Sequence, residues 1–350
     1  MSAPLSEKET VAASPKSGEA GMRLSRFFRA RESSVLVVLV ILCVLLAFSK
    51  SRDTFYSPRN LQNLALSIAL LSTFAIGETV VIITGGIDLS LGSVIAFCGM
   101  LLGIVVIRVG ESSPALAIPT AVFFTLGVAL LIGTLNATLI HRLRLPPFIV
   151  TLAALTFFRS QSLIINQQMP VTLSKYPALI DFVNGRVLIT KDFGIPYPAL
   201  LLIFIAIAVH IVLARTKVGR HVYSVGSNEQ ATRLSGVNVG RVKLFAYGTS
   251  ALLAGVAGIL YAGYGGQGDP QSGGGYELNA VAAAVIGGAN LNGGQGSVSG
   301  TVLGAGLLMV IQNGINLNLD NASRWEGTVI GGVLLLAVLT TALQQRNQRD

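Results

Sequence analysis

Between residues 60 and 107 the only charged side chains are Glu78 and Asp88, two carboxylates in an otherwise apolar stretch. Acids in such surroundings can bind a coupling cation, or they can organise the backbone where a helix breaks. Asp88 follows Gly85 and Gly86 in "VVIITGGIDLSLGSVIAF" and precedes an apolar run. That order marks it first as the residue that caps the next helix, with the two glycines supplying the turn. Other chemistries are excluded. The chain has no Gly-Lys pair, so it cannot form the G-x-x-x-x-G-K-[ST] phosphate cradle, and it does not hydrolyse ATP by itself. His141, His210 and His221 lie at or near the ends of apolar runs with no i, i+4 partner, and no G-x-S-x-G nucleophile motif occurs. Cys43 and Cys98 sit inside apolar runs far from any metal-ligand spacing, as buried free thiols do.

The elements that must position these residues follow from composition. Of 350 residues, 52% are hydrophobic and 12% charged, against about 25% charged in soluble domains. The chain reads as an all-α, polytopic integral membrane protein. The 60–107 run would be roughly 70 Å long as one helix, more than twice a ~30 Å hydrocarbon core. It must cross twice and break at "TGGID", facing the bundle interior, because irregular backbone at membrane depth needs protein or water beside it. Residues 33–48 form a first span that no cleavage site follows. Further runs at 116–140, 147–165, 197–214, 244–264, 278–291, 297–318 and 326–343 bring the expected count to about ten.

The net charge of +9 carries no stripe of basic and aromatic residues, so nucleic acid is not a partner. The charge marks topology instead. A polar tail over 1–32, expected to be disordered, holds Lys8, Lys16, Arg23, Arg26, Arg29 and Arg31. With the basic segment 215–243, Arg142, Arg144 and the 344–350 tail, it falls on one side of a ten-span arrangement. That side is cytoplasmic by the positive-inside rule, so both termini are expected there. Lys50, Arg52 and Arg59 dissent, and the other loops outvote them.

"GGIDL" (85–89) recurs as "GGANL" (287–291), with Asn290 in the place of Asp88, and Asn is another strong cap. Gly296, Gly300 and Gly304 are expected on one face of the following helix, and Ala254, Gly258 and Ala262 on another. These are spacings that let membrane helices pack closely. Within 215–243, Ser227 and Gln230 form a capping-box pattern, Asn228, Glu229, Gln230 and Ala231 open about two helical turns, and Gly236 supplies a left-handed stop. So short a helix needs a surface to pack on, and Ala231 and Leu234 offer a small apolar face. The face meets either a partner at the cytoplasmic surface or the helix's own loop.

"TGGIDLSLGS", "PPFIVTLAAL", "VGSNEQATRLSGVNVGRVK", "GGGYELNAVAAAVIGGANLNGGQGS" and "QNGINL" resemble, in order, the signatures of bacterial ABC sugar importer permeases of the ribose type, within the branched-chain amino acid permease superfamily. The resemblance covers about residues 35 to 345. It departs at Asn136-Ala137, where Asn-Gly is usual, and at "TLAALTFFRS", where glycines are common. It implies the type II architecture of the vitamin B12 importer, with a permease domain over 33–343. It also implies a second permease chain (the same or a related one), a pair of ATPase subunits that hold ATP and Mg, and a periplasmic sugar-binding protein. No cofactor belongs to this chain, and its place is the bacterial inner membrane.

The resemblance makes the helix at about 227–235 the coupling helix that sits in a groove of the ATPase. A sugar pathway is expected to be neutral and hydrogen-bonding, with Thr84, Gly85, Gly86, Asp88, Asn136, Asn166, Asn290 and Asn313 as candidates. The polar ones serve either as interhelical hydrogen bonds or as substrate contacts. Glu277 is expected at the outer face, capping a helix or meeting the binding protein. A branched-chain amino acid permease and an ion-coupled secondary transporter are the alternative readings.

Overall fold

The computed structural model describes residues 31–322, 324–325, 327–332 and 335. Nearly all of the 1–32 tail, most of the 326–343 run and the 344–350 tail lie outside the described residues. The described residues are mainly helical. α1 (Arg31–Ala47), the short α2 (Arg52–Phe55), α3 (Pro58–Ile83), α4 (Leu91–Gly110), α5 (Pro114–Arg142) and α6 (Pro147–Ile164) come first. A small outer segment follows, with β1 (Val171–Thr172), α7 (Pro177–Asn184), β2 (Arg186–Leu188) and β3 (Gly194–Pro196). Then come α8 (Tyr197–Arg215), α9 (Lys217–Ser227), α10 (Glu229–Leu234), α11 (Val239–Gly265), β4 (Gln267–Gly268), α12 (Tyr276–Ile286) and α13 (Val298–Asn318).

Seven of these helices, α3, α4, α5, α6, α8, α11 and α13, are long and apolar enough to cross a membrane. The long run breaks where expected, between Ile83 and Leu91. The 278–291 run forms only a short helix. α12 has 11 residues, roughly 16 Å, and stops at Gly287 because Gly288, Gly293 and Gly294 all take positive φ. Gly296 lies before α13 rather than on it, so only Gly300 and Gly304 keep the expected spacing on that helix. Both press on backbone: a Cβ at either would overlap the carbonyls of Gly287 or Ala283 on α12.

α3 and α11 form the centre. Ser57 caps α3 by accepting a hydrogen bond from the Asn60 amide, and Pro58 occupies the first turn, where its missing N–H is tolerated. From Ala69 to Ile83 every α3 residue is buried. α11 packs against α3, α4 and α5, and Ala254, Gly258 and Ala262 are buried along it. β1 pairs antiparallel with β4, Val171 opposite Gly268, and β2 with β3, Val187 opposite Ile195.

Candidate functional site

The break between α3 and α4 is organised by its two acids, both fully buried. The Asp88 amide donates to Glu78 Oε1 at 3.1 Å and Oε2 at 3.3 Å. Asp88 Oδ1 accepts from the Ser90 amide at 3.0 Å and from the Ser90 hydroxyl at 2.6 Å. Asp88 Oδ2 accepts from Ser250 of α11 at 3.0 Å. Asn136 of α5 donates to Ser90 Oγ at 3.3 Å, and Thr151 of α6 donates to the Ile87 carbonyl at 3.2 Å. Four helices thus grip one turn of irregular backbone, and three donors converge on the Asp88 carboxyl group.

Asp88 is not the cap of α4. The N-cap position is Ser90, without a side-chain cap bond, and Asp88 instead bonds the amide two residues on, an Asx-turn. The same correction applies to Asn290, whose Oδ1 accepts from the Asn292 amide at 3.1 Å. The cap of α13 is Ser297, which accepts from the Gly300 amide. The repeated "GG-x-[D/N]-L" therefore encodes two matching Asx-turns, because in both copies the helix start lies further along the chain than the acid or amide can reach.

The two breaks touch. The Gly294 amide donates to the Ile83 carbonyl at 2.8 Å. The end of α9 is wedged against both: a Cβ at Gly226 would overlap the Ile83 carbonyl oxygen and close on the Gly294 nitrogen. Tyr223 of α9 donates to the Gly296 carbonyl at 2.9 Å. Three segments distant in sequence meet at this junction, with backbone against backbone at Gly226, Ile83 and Gly294 and the Tyr223 side chain adding a bond to Gly296.

The segment after the junction corrects the capping-box expectation. Ser227 is the last residue of α9, and its hydroxyl donates to the Tyr223 carbonyl. Asn228 caps α10, accepting from the Ala231 amide at 2.9 Å. α9 itself, where a loop was expected, is capped by Thr216 and buries Val222 and Val225. α10 is tied inward through Thr232, which donates to the Ser224 carbonyl at 2.8 Å. Glu229 bridges Arg233 and Lys243, each at 2.9 Å, and so links α10 to the start of α11. Partial burial pulls the Glu229 carboxyl upward, but hydrogen bonds and charges from Lys243 and Arg233 outweigh it and hold the group below its ordinary value. Gly236 adopts φ 83°, the expected left-handed stop. Ala231, Gln230 and Leu234 point outward, Leu234 at 83% exposure.

A family model described as "Branched-chain amino acid transport system / permease component" matches residues 60–338. The chain belongs to that family. The permease is 34% identical to the ribose import permease protein RbsC of Escherichia coli (strain K12), over 90% of its own length and 94% of the relative's. To RbsC of Bacillus subtilis (strain 168) it is 36% identical, over 87% and 89% of the two chains. To the xylose transport system permease protein XylH of Haemophilus influenzae it is 32% identical, over 87% and 95%. No solved structure matches it at that level of significance.

In this permease Thr84, Gly85, Gly86, Asp88 and Asn136 gather at the first break, and Asn290 lies in the second. Thr84 Oγ1 turns back to the Val81 carbonyl at 2.7 Å. Asn166 stands apart, in the loop after α6, where it donates to the Met169 carbonyl. Asn313 exchanges two hydrogen bonds with Asn60, at 2.9 and 3.0 Å, and is spent on joining α13 to α3. Glu277 opens α12, with one carboxyl oxygen buried beside Gly92 and no hydrogen-bond partner among the described residues.

Ser250, Tyr247 and Gly226 were not legible as site residues. Ser250 and Tyr247 lie 162 and 159 positions beyond Asp88, and nothing local marks them. Gly226 precedes a recognisable cap, which could have suggested that its missing side chain mattered.

Proposed function

We propose that this chain is the pathway-forming subunit of an ATP-driven importer for a monosaccharide, set in the bacterial inner membrane with both termini in the cytoplasm. One observation carries the reading: permeases whose names specify ribose and xylose import align with 87–90% of the chain. The permease domain spans 33–343, with polar tails over 1–32 and 344–350.

The site supports this assignment. The chain lacks a phosphate cradle, so ATP and Mg belong to a separate ATPase, and no cofactor is assigned to the permease itself. α10 is the element that ATPase would grip, through exposed Ala231 and Leu234, with Asn228 and Gly236 bounding the helix and Glu229 tying it to α11. The α9–α10 corner rests directly on both helix breaks, through Gly226 against Ile83 and Gly294 and through Tyr223 to Gly296, so a push on α10 is transmitted to them. Thr84, Asp88, Asn136 and Asn290 place neutral or fully compensated polar groups there, as a neutral solute requires. Glu277, which opens α12 and abuts Gly92 at the start of α4, is assigned as the contact for a periplasmic sugar-binding protein. A second permease chain completes the pathway.

An ion-coupled mechanism would place a cation on Glu78 and Asp88; both Asp88 oxygens are engaged by Ser90 and Ser250, while the Glu78 oxygens share the Asp88 amide, so the decision falls to experiment. The test is co-purification. The unsubstituted chain is expected to bring down its ATPase and to raise ATP hydrolysis when the loaded binding protein is added. Ala231→Glu, which inserts a charge into the docking face, is expected to insert and dimerise normally but to lose both. Wild-type association and uptake in Ala231→Glu would remove α10 as the coupling element.

A further inference from the structure

Beside α10 lies an open cavity of about 430 Å³ lined by Ile140, His141, Arg144, Leu145, Pro146, Pro147, Glu229, Arg233 and Lys243. Its charges do not balance. Three permanent cations, Arg144, Arg233 and Lys243, face one carboxylate, Glu229. Glu229 is already shared between Arg233 and Lys243, while Arg144 has no ion pair among the described residues. Arg144 is also held at φ 53°, in the left-handed region that disfavours any residue with a Cβ. The backbone at the α5–α6 corner therefore takes a strained turn on the cavity's rim, where the surplus cation stands.

The cavity sits where a bilayer would end. It occupies the corner between the last turn of α5 and the first turn of α6, both membrane-length helices. Ile140, Leu145, Pro146 and Pro147 supply its apolar lining, and Leu145 belongs as well to a set of exposed apolar side chains, Leu143 and Leu145 in the corner and Phe148, Ile149 and Leu152 at the start of α6. A cationic recess continuous with an exposed apolar flank fits one kind of molecule, an anionic head with hydrocarbon tails.

We propose that this corner is a binding site for an anionic phospholipid, its phosphodiester between Arg144, Arg233 and Lys243 and its acyl chains along the Leu145–Leu152 flank of α6. The proposal rests on the reading of α10 as the coupling element only for its consequence. The headgroup shares Arg233 and Lys243 with Glu229, so its presence sets how tightly α10 is held to α11. A basic pocket between helix ends on the cytoplasmic side is a recognised arrangement for such headgroups. An acidic side chain of the ATPase is the competing occupant, and the lipid is favoured because the apolar flank has no use in that contact.

The permease, purified in detergent with its partner subunits, is delipidated and placed in nanodiscs of phosphatidylcholine with or without phosphatidylglycerol, and bound lipid is counted by native mass spectrometry. Retained phosphatidylglycerol, not displaced by inorganic phosphate, is expected. Arg144→Gln is expected to cut retention about fivefold, the loss of one basic contact. Arg142→Gln, two residues away and outside the cavity, is expected to leave it unchanged. Both variants are first shown to elute as the intact complex. A readout independent of lipid counting is the rate of hydrogen exchange at α10, expected to differ between the two nanodisc types in the unsubstituted protein and not in Arg144→Gln.

Equal retention in both variants, displacement by free phosphate, or phosphatidylglycerol binding only after the ATPase is stripped away would overturn the proposal, the last by placing the ATPase in the cavity. None of these outcomes bears on sugar uptake, so failure here and failure of the transport reading are separately visible.

Discussion

Asp88 is held inside an apolar bundle by three donors from Ser90 and Ser250, with no ion pair among the described residues. Its geometry sets its tolerance. Asp88→Asn keeps one oxygen for Ser90 and turns an amide toward Ser250, whose hydroxyl can accept. Thermal unfolding of the purified complex is expected to stay near that of the parent, with transport retained. Asp88→Leu strands the buried Ser90 amide and the Ser250 hydroxyl, and a loss of about 3 kcal/mol is expected, enough to impair assembly. Tyr247, buried against Gly86, is the opposite case, since its hydroxyl finds no partner among the described residues. Tyr247→Phe keeps the packing and removes an unsatisfied group, so the same melt is expected to be unchanged or up to about 1 kcal/mol more stable. A clear loss of stability would show that the hydroxyl is engaged.

At the scale of elements, two glycines beside α10 separate backbone strain from steric contact. Gly236 has positive φ and open space around it, so Gly236→Val meets no neighbour and costs only the left-handed conformation, roughly 1–2 kcal/mol. Gly226 meets the Ile83 carbonyl directly. Gly226→Val is expected to block assembly of the junction, seen as loss of folded protein in size-exclusion chromatography, while Gly236→Val folds but loses ATPase association. The Glu229 tether has a pH signature. Its carboxyl is held below the ordinary 4.5, so the stabilisation is full above that value and is lost as pH falls through the lower folded one. The protection of α10 against hydrogen exchange, corrected for the intrinsic pH dependence of the amide rate, should therefore be constant from neutral pH down to about 4.5 and fall only below it.

These elements also show what could be read in the chain beforehand. The break at Gly85–Asp88 was legible because 48 apolar residues cannot cross a bilayer once, and the Gly236 stop because a glycine after two helical turns has few other uses. The caps were misassigned by one to seven residues, Ser227 for Asn228, Asp88 for Ser90, Asn290 for Ser297, because Ser, Asn and Asp serve Asx-turns and caps alike. The length of α12 was overestimated because the apolar run was carried through "GGANL" to Leu291, although its glycine pair echoes the break at Gly85–Gly86 and Gly288 takes positive φ. The Gly226 junction joins residues from three distant segments, and only the fold brings them together.

For the whole molecule, the proposed topology has one basic surface, comprising α9, α10 and the α5–α6 corner, facing the cytoplasm and segment 167–196 on the opposite side. Reporter fusions at residues 230 and 144 are expected to be active in the cytoplasm and one at 185 in the periplasm. A periplasmic signal at 230 would invert the arrangement. The central claim is that a nucleotide, not an ion gradient, drives a sugar through this chain. It is tested by uptake of radiolabelled ribose and xylose into proteoliposomes holding the permease, its ATPase and its loaded binding protein. Uptake of at least one of them is expected to require ATP at the ATPase face and to continue unchanged when ionophores collapse the proton and sodium gradients. Uptake that persists without ATP and stops with the ionophores would contradict it.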